Sequence, residues 1–164
     1  MKPLHKGLLL ALLHLLIVCS LGAKLLYDRA SRPRLWMKVA SYDPDLPIRG
    51  RYLSINLDLP YEGMYDQPYK FAGYRCDLTV KNNQLIAQLN PNGEFWVPGE
   101  RPATNSVIVS TRMAYFLPES AADPSRRPAG EELWVEATIP RKGPPRPIRL
   151  GIKKDGVLTP LVVH

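Results

Sequence analysis

Two serines and one lysine in the body of the chain are the residues best suited to hydrolytic chemistry: Ser41, Ser54 and Lys81. A deeply buried lysine can lose its proton and then serve as the base that activates a serine nucleophile. The chain lacks the Ser-x-Met-x-Pro signature that one group of such enzymes carries. A Ser-Lys hydrolase is therefore a hypothesis that requires Ser41 or Ser54 to lie beside a buried Lys81.

Histidine, the usual general base and a common metal ligand, is missing from the body of the chain. His5 and His14 lie near the first residue, and His164 is the last residue. These positions exclude a Ser-His-Asp or Cys-His nucleophile and argue against a zinc site. We therefore predict no metal, no cofactor and no enzymatic activity.

Three tyrosines, Tyr61, Tyr65 and Tyr69, fall close together in a loop-rich stretch. Exposed aromatic rings can stack on sugar rings or dock on a protein partner. They can also pack a loop onto its own sheet. We favour this second interpretation, because aromatic residues often close the edges of β-domains.

The densest basic run includes Arg141, Lys142 and Arg146, in a chain whose formal net charge is +7. Such a run can bind anionic lipid headgroups or another polyanion. It can also be the exposed, proline-stiffened approach to a hairpin. Nucleic acid is not an expected partner, because a membrane anchor would hold the body away from it.

An apolar segment near the N-terminus predicts a transmembrane helix. Residues 7–23 carry no charge, and extension to Tyr27 gives about 32 Å of helix, enough to cross a hydrocarbon core of ~30 Å. We divide the chain into a basic tail over 1–6, a transmembrane signal-anchor helix over 7–27, a juxtamembrane linker over 28–33 and a body over 34–164.

A cleaved signal peptide is the alternative for the same segment. Lys2 and Lys6 form a basic start, and small residues precede Ala23. The apolar run is, however, longer than the ~7–15 residues usual in a signal peptide. We therefore favour an uncleaved, single-pass anchor.

His14 lies near the middle of the apolar segment. It is either a neutral imidazole that the helix tolerates or a proton relay, which would need a multi-pass membrane protein beside it. The predicted partners are thus the lipid bilayer and a multi-pass membrane protein. Basic residues flank the segment on both sides, so the positive-inside rule does not fix its orientation. The likeness to a signal anchor favours a body outside the cytoplasm.

The body has the pattern of an all-β domain. Sixteen of the 17 prolines fall between Pro33 and Pro160, where they exclude long helices and suit short strands between turns. Apolar and polar residues alternate from Leu53 to Leu59, and Asp155-Gly156 is a strong hairpin signal. Strands are predicted over residues 53–59, 74–80, 85–89, 94–97, 106–117, 133–139, 148–152 and 158–163. We predict an antiparallel sandwich or a partly open barrel that follows one transmembrane helix.

The stretch Asp43-Pro44 to Arg49-Gly50 leads through Tyr52 into the first of these strands. This stretch, together with the apolar N-terminal helix, resembles the bacterial GDYXXLXY family. Arg51 stands where the family has Asp, Ile55 where it has Leu, and Leu57 where it has Tyr. The matching residues are Asp43, Pro44, Arg49, Gly50 and Tyr52, whereas Ile55 and Leu57 occupy motif positions with other residues.

The resemblance implies a location and a partner, and no reaction. Members of this family are membrane-anchored proteins without an assigned activity, and they are often encoded beside multi-pass membrane proteins. The resemblance thus implies a bacterial inner-membrane protein with its body in the periplasm. By its chemistry, the motif itself reads as a rigid turn followed by a strand that buries Ile55 and Leu57 and presents Tyr52 on the opposite face.

Three functions follow as hypotheses. The first is a non-catalytic, membrane-anchored envelope protein that is an accessory or structural subunit of a multi-pass membrane protein. The second is an extracytoplasmic binding module for envelope glycan or anionic lipid headgroups. The third is the Ser-Lys hydrolase.

Overall fold

The computed structural model describes residues 3–43, 52–66, 72–118, 120, 124 and 127–161. The chain divides into two compact units, Met1–Pro33 and Arg34–His164. The first unit contains one helix, α1 (Pro3–Ser31). The second contains β1 (Arg34–Asp43), β2 (Tyr52–Glu62), β3 (Tyr74–Lys81), β4 (Gln84–Leu89), β5 (Phe95–Val97), β6 (Ser106–Phe116), β7 (Glu131–Thr138), β8 (Arg146–Lys154) and β9 (Val157–Pro160).

Helix α1 covers the predicted transmembrane segment and continues through residues 28–31, which the sequence assigned to a linker. Within Lys6–Ser31, an 18-residue window has a mean hydropathy of 2.3, so the length and composition of the helix suffice to cross a membrane, as those of a signal sequence also can. Its polar side chains bond within the helix: the Ser20 hydroxyl donates to the Ile17 carbonyl at 2.8 Å. Such bonds satisfy polar groups that lipid could not satisfy.

The second unit is one large, open sheet with the strand order β5-β3-β4-β2-β1-β7-β8-β9, and β6 also pairs with β2. Strands make up 50% of the residues that the structure describes, so the prediction of an all-β body after one apolar helix is confirmed. The sheet is mixed, because β2 and β4 run parallel where Tyr61 faces Ala87 and Glu62 faces Gln88. The other pairings are antiparallel.

Strand β2 forms the centre of the sheet and supplies much of the core. The predicted alternation is confirmed, because Leu53, Ile55 and Leu57 are fully buried while Tyr52 lies on the other face. Strand β1 pairs with one edge of β2 and β6 pairs with the other. The core extends to other strands through Met37, Tyr74, Cys76, Val97, Val109, Met113, Val135 and Leu150.

The predicted hairpins have the backbone that their sequences favour. Asn82 and Asn83 join β3 to β4 with φ angles of 49° and 61°. Asp155 and Gly156 join β8 to β9 with φ angles of 49° and 81°. Two successive residues with positive φ make the turn that matches the twist of paired strands, and Asn, Asp and Gly adopt it most readily.

Two features of the sheet differ from the prediction. Strand β1 was not predicted, although Leu35 and Met37 alternate with Trp36 and are buried. On β3 the alternation predicts that Tyr74, Cys76 and Val80 are buried. Tyr74 and Cys76 are buried, but Val80 is 37% exposed.

Candidate functional site

The structure does not bring the proposed serine and lysine together. Lys81 forms an ion pair with Glu62 at the C-terminal end of β2, and its side chain is 40% exposed. Ser54 lies on β2 eight residues before Glu62, so the two residues are about 26 Å apart. Ser41 pairs with Asn56 on β2, also far from Glu62. Lys81 is therefore a solvated, paired cation beside neither serine.

The thiol of Cys76 offers no nucleophile either. Cys76 is fully buried in the core, and this burial raises the pKa of its thiol to about 12. A thiol attacks as the thiolate, which is scarce at neutral pH with such a pKa. Both Cys76 and Cys19 are free. Among the described residues, no group of three or more His, Cys, Asp or Glu side chains could hold a metal ion.

Two of the three predicted surface tyrosines pack a loop onto the sheet. The rings of Tyr61 and Tyr65 meet edge to face at 4.9 Å, and Tyr65 meets the buried Tyr74 at 5.4 Å. The Tyr65 hydroxyl donates to the Pro98 carbonyl at 2.9 Å, and burial raises the pKa of that hydroxyl. These contacts use both the rings and the hydroxyl for packing. Tyr69 lies outside the described residues.

Arg141 and Lys142 line a polar cleft of about 470 Å³ between the β3–β5 region and the β7–β8 connection. The Glu94 carboxylate faces them and accepts a hydrogen bond from the Gly143 amide at 3.0 Å. The Asp77 carboxylate, also in the cleft, accepts bonds from the Asn90 side chain and the Glu94 amide. Both carboxylates thus bond backbone or amide groups.

Strand register places Arg146 beside this cleft and opposite the start of β1. Thr138 is the Cα partner of both Arg34 on β1 and Arg146 on β8. The loop 139–145, which carries Arg141 and Lys142, joins Thr138 to Arg146 at the same end of the sheet. We call Arg34, Arg141, Lys142 and Arg146 the basic end.

Among the strand residues whose burial is described, the outer face of β2 and β6 carries the most exposed aromatic side chain. Tyr52 and Phe116 are direct partners across the two strands, and Phe116 is 70% exposed. Together with Ser54, Arg112 and Ala114 they line an open concavity of about 690 Å³. We call these five residues the aromatic face.

An irregularity in β6 shapes the aromatic face. Arg112 has a φ of 46°, in the left-handed region that residues with a Cβ avoid. The pairing of β2 with β6 shifts register there, and the Thr111 hydroxyl donates to the Ile55 carbonyl at 3.0 Å. The Asn56 side chain accepts from the Arg112 amide at 3.4 Å. This bulge re-aims the side chains that follow it on the outer face.

A second outer surface, on β1, β7 and β8, was not predicted from the sequence. Arg149 donates to Glu136 at 2.5 Å and lies 5.5 Å from the centre of the Trp36 ring. A Cβ on Gly151 would lie 2.7 Å from that ring, so glycine is needed for the ring to lie flat across the strand. The alternation of Trp36 with buried Leu35 and Met37 is the signal that could have placed it there.

The same surface contains a network around Lys38. Lys38 donates to Glu132 at 2.7 Å, and Trp134 donates to the other oxygen of that carboxylate at 3.1 Å. These bonds lower the pKa of Glu132, and the bond to Glu132 raises the pKa of Lys38. Lys153 lies 4.6 Å from the centre of the Trp134 ring. Each charge is thus satisfied locally, which indicates a structural role.

The remaining predicted residues are only partly described. The His14 ring nitrogen Nδ1 lies 2.8 Å from the Leu10 carbonyl, one turn earlier in the same helix. Of the motif residues, Tyr52 is on the outer face while Ile55 and Leu57 are in the core. Pro44, Arg49, Gly50 and the side chain of Asp43 lie outside the described residues.

Comparison of the chain with known proteins gives no relative. No protein-family model matches it, and no curated protein or solved structure matches it either.

Proposed function

We propose that this protein is a non-catalytic, membrane-anchored subunit that docks on a multi-pass membrane protein through the aromatic face. The observation that carries the proposal is the exposed Phe116 beside the half-buried Tyr52, on the body of a chain whose only described helix suits a membrane. In this account α1 holds the body at the bilayer, and the aromatic face provides the contact.

The composition of the aromatic face supports a protein contact. Tyrosine, phenylalanine and arginine are enriched at the centres of protein interfaces, where they supply most of the binding energy. Phe116 and Tyr52 stand side by side on rigid, paired strands, so little conformational entropy is lost when they are covered. Arg112 at the rim of the concavity adds a donor for a carboxylate or carbonyl on the partner.

Three observations support a multi-pass membrane protein as the partner. Helix α1 is exposed along its described length and carries His14 in its apolar stretch, where a neighbouring helix would find a polar contact. The resemblance to the GDYXXLXY family implies such a partner. A bacterial inner membrane, with the body in the periplasm, is the corresponding location.

Photo-crosslinking in cells of the native host tests the contact. A benzophenone amino acid placed at position 116 in the full chain should crosslink to one multi-pass membrane protein on irradiation. Val157 provides the matched control. Its side chain is 66% exposed, close to the 70% of Phe116, and it lies on β9, which pairs with neither β2 nor β6. The same probe at position 157 should yield no such product. Equal products from both positions, or only lipid adducts from position 116, would contradict the proposal.

A second candidate function is recognition of an anionic headgroup, which the basic end favours. Recognition of a glycan by the tyrosines has less support, since Tyr61 and Tyr65 already pack against Tyr74 and the Pro98 carbonyl. The position of Lys81 gives no support to a Ser-Lys hydrolase, because Lys81 pairs with Glu62.

A further inference from the structure

We propose that the basic end binds the anionic lipid headgroups of the membrane in which α1 is anchored. This inference rests on the proposed function in one respect, namely that α1 crosses a bilayer. It adds a second membrane contact, made by the body and separate from both the anchor and the aromatic face.

Chain connectivity limits how far the basic end can lie from the membrane. Only Arg32 and Pro33 stand between the last residue of α1 and Arg34, the first residue of β1. Three peptide steps span at most about 11 Å. Whichever surface α1 leaves, β1 must therefore begin within reach of its headgroups.

Strand register places the other basic residues at the same end of the sheet as Arg34. Arg34, Thr138 and Arg146 are neighbours across β1, β7 and β8. The loop that begins after Thr138 presents Arg141 and Lys142, and both side chains are exposed. Residues more than a hundred positions apart in the sequence thus meet beside the point where the body begins.

Arg141 and Lys142 have no ion-pair partner among the described residues, whereas four other cations of the body do. Lys38 pairs with Glu132, Lys81 with Glu62, Arg149 with Glu136 and Lys154 with Glu131. The nearest carboxylates in the cleft, Asp77 and Glu94, bond backbone and amide groups instead.

An anionic bilayer surface is the occupant that this arrangement fits. Each lysine or arginine close to such a surface contributes about 1 kcal/mol, which is roughly a five-fold gain in the bound population. The attraction falls off within a Debye length of about 8 Å at physiological salt. The short connection from α1 keeps the start of β1 near that range, whereas Lys153 and Lys154 lie at the far end of β8, about 26 Å from Arg146.

Hydrogen exchange of the full chain in lipid nanodiscs provides the test. The amides of Ile139, Arg141, Lys142, Gly143 and Arg146 should exchange several-fold more slowly in discs that contain phosphatidylglycerol than in discs of phosphatidylcholine alone. The difference should vanish in 1 M salt, where the Debye length is about 3 Å. Amides at the turn 154–157 should exchange equally in both kinds of disc.

Matched double variants separate headgroup binding from a general charge effect. R141Q/K142Q should weaken the docked state by roughly thirty-fold and abolish the slower exchange. K153Q/K154Q removes the same charge from the other end of β8 and should leave the slower exchange unchanged. Equal exchange in the two kinds of disc, or equal loss in both variants, would overturn the proposal.

The same experiment distinguishes failure of the anchor from failure of the basic end. A chain that does not stay with the discs through gel filtration would show that α1 is no anchor, and it would overturn both proposals. A chain that stays in the discs but shows no lipid dependence over residues 139–146 would overturn only the headgroup contact.

Discussion

Tyr52 on β2 and Phe116 on β6 are direct cross-strand partners whose side chains lie on the outer face of the sheet, where Phe116 is 70% exposed. Their neighbours Leu53 and Met113 point the other way and are buried. The same two strands thus carry the core on one side and an uncovered aromatic pair on the other. Burial of the core residues stabilises the fold, whereas the aromatic pair on the outer face contributes little to that stability.

Substitution of Phe116 should therefore affect binding far more than folding. We expect Phe116→Ala to lower the free energy of unfolding by less than about 1 kcal/mol, since an exposed cross-strand pair contributes only that much. Met113→Ala on the same strand should cost roughly 2–5 kcal/mol, because it leaves a cavity in the core. Denaturant unfolding of the two variants measures the difference. A loss at Phe116 as large as that at Met113 would mean that the aromatic face is part of the fold.

The backbone of Arg112 leads to a second prediction. A residue with a Cβ pays about 1–2 kcal/mol in the left-handed region, and glycine avoids that cost while losing ~0.5–1 kcal/mol in chain entropy. We expect Arg112→Gly to be more stable to thermal unfolding than Arg112→Ala by about 1 kcal/mol. Both substitutions remove the charge of Arg112, but only alanine keeps a Cβ. The difference between the two variants therefore measures the backbone effect. Equal stability of the two variants would show that the bulge is not held in this conformation.

The Lys38–Glu132 pair predicts how stability depends on pH. The pKa of Glu132 lies below its ordinary value of 4.5 in the folded chain, so its contribution is complete above pH 4.5 and is lost as the pH falls through the folded pKa. The pKa of Lys38 lies above 10.5, so its contribution is complete below that pH and is lost as the pH rises through the folded value. Both side chains are about 40% exposed, so the pair should contribute under about 1 kcal/mol.

Unfolding titrations of Glu132→Gln and Lys38→Gln check this interpretation. Each single variant should reduce the loss of stability below pH 4.5, and the double variant should show little further change because the two residues act on one another. Independent, additive effects would show that the pair does not couple. Trp134 adds a bond to Glu132, so some acid dependence should persist in Lys38→Gln alone.

Local patterns in the sequence predicted the strands and turns well, because each depends on a few neighbouring residues. The alternation around Ile55 and the Asp155-Gly156 hairpin are examples, and both are as expected. The sequence analysis predicts no strand at β1, although apolar and polar residues alternate just as clearly around Trp36. Sequence alone would have recovered it from Leu35 and Met37.

Features that depend on strand register could not be predicted. The parallel contact of β2 with β4, the bond of the left-handed Arg112 to Asn56, and the pairing of Thr138 with both Arg34 and Arg146 each join residues that are distant in the sequence. The aromatic face is of the same kind: Tyr52 was expected to point outward, but nothing local indicates that Phe116 becomes its partner. The candidate surface therefore emerged only with the fold.

The mass of the native assembly tests the central claim most directly. The full chain, extracted in mild detergent from its own host at its natural level, should migrate by native electrophoresis in a complex that contains a multi-pass membrane protein. Phe116→Ser should release it as a lone chain, whereas Val157→Ser should leave the complex intact. Recovery of the unmodified protein as a lone monomer, or a complex that survives Phe116→Ser unchanged, would contradict this account.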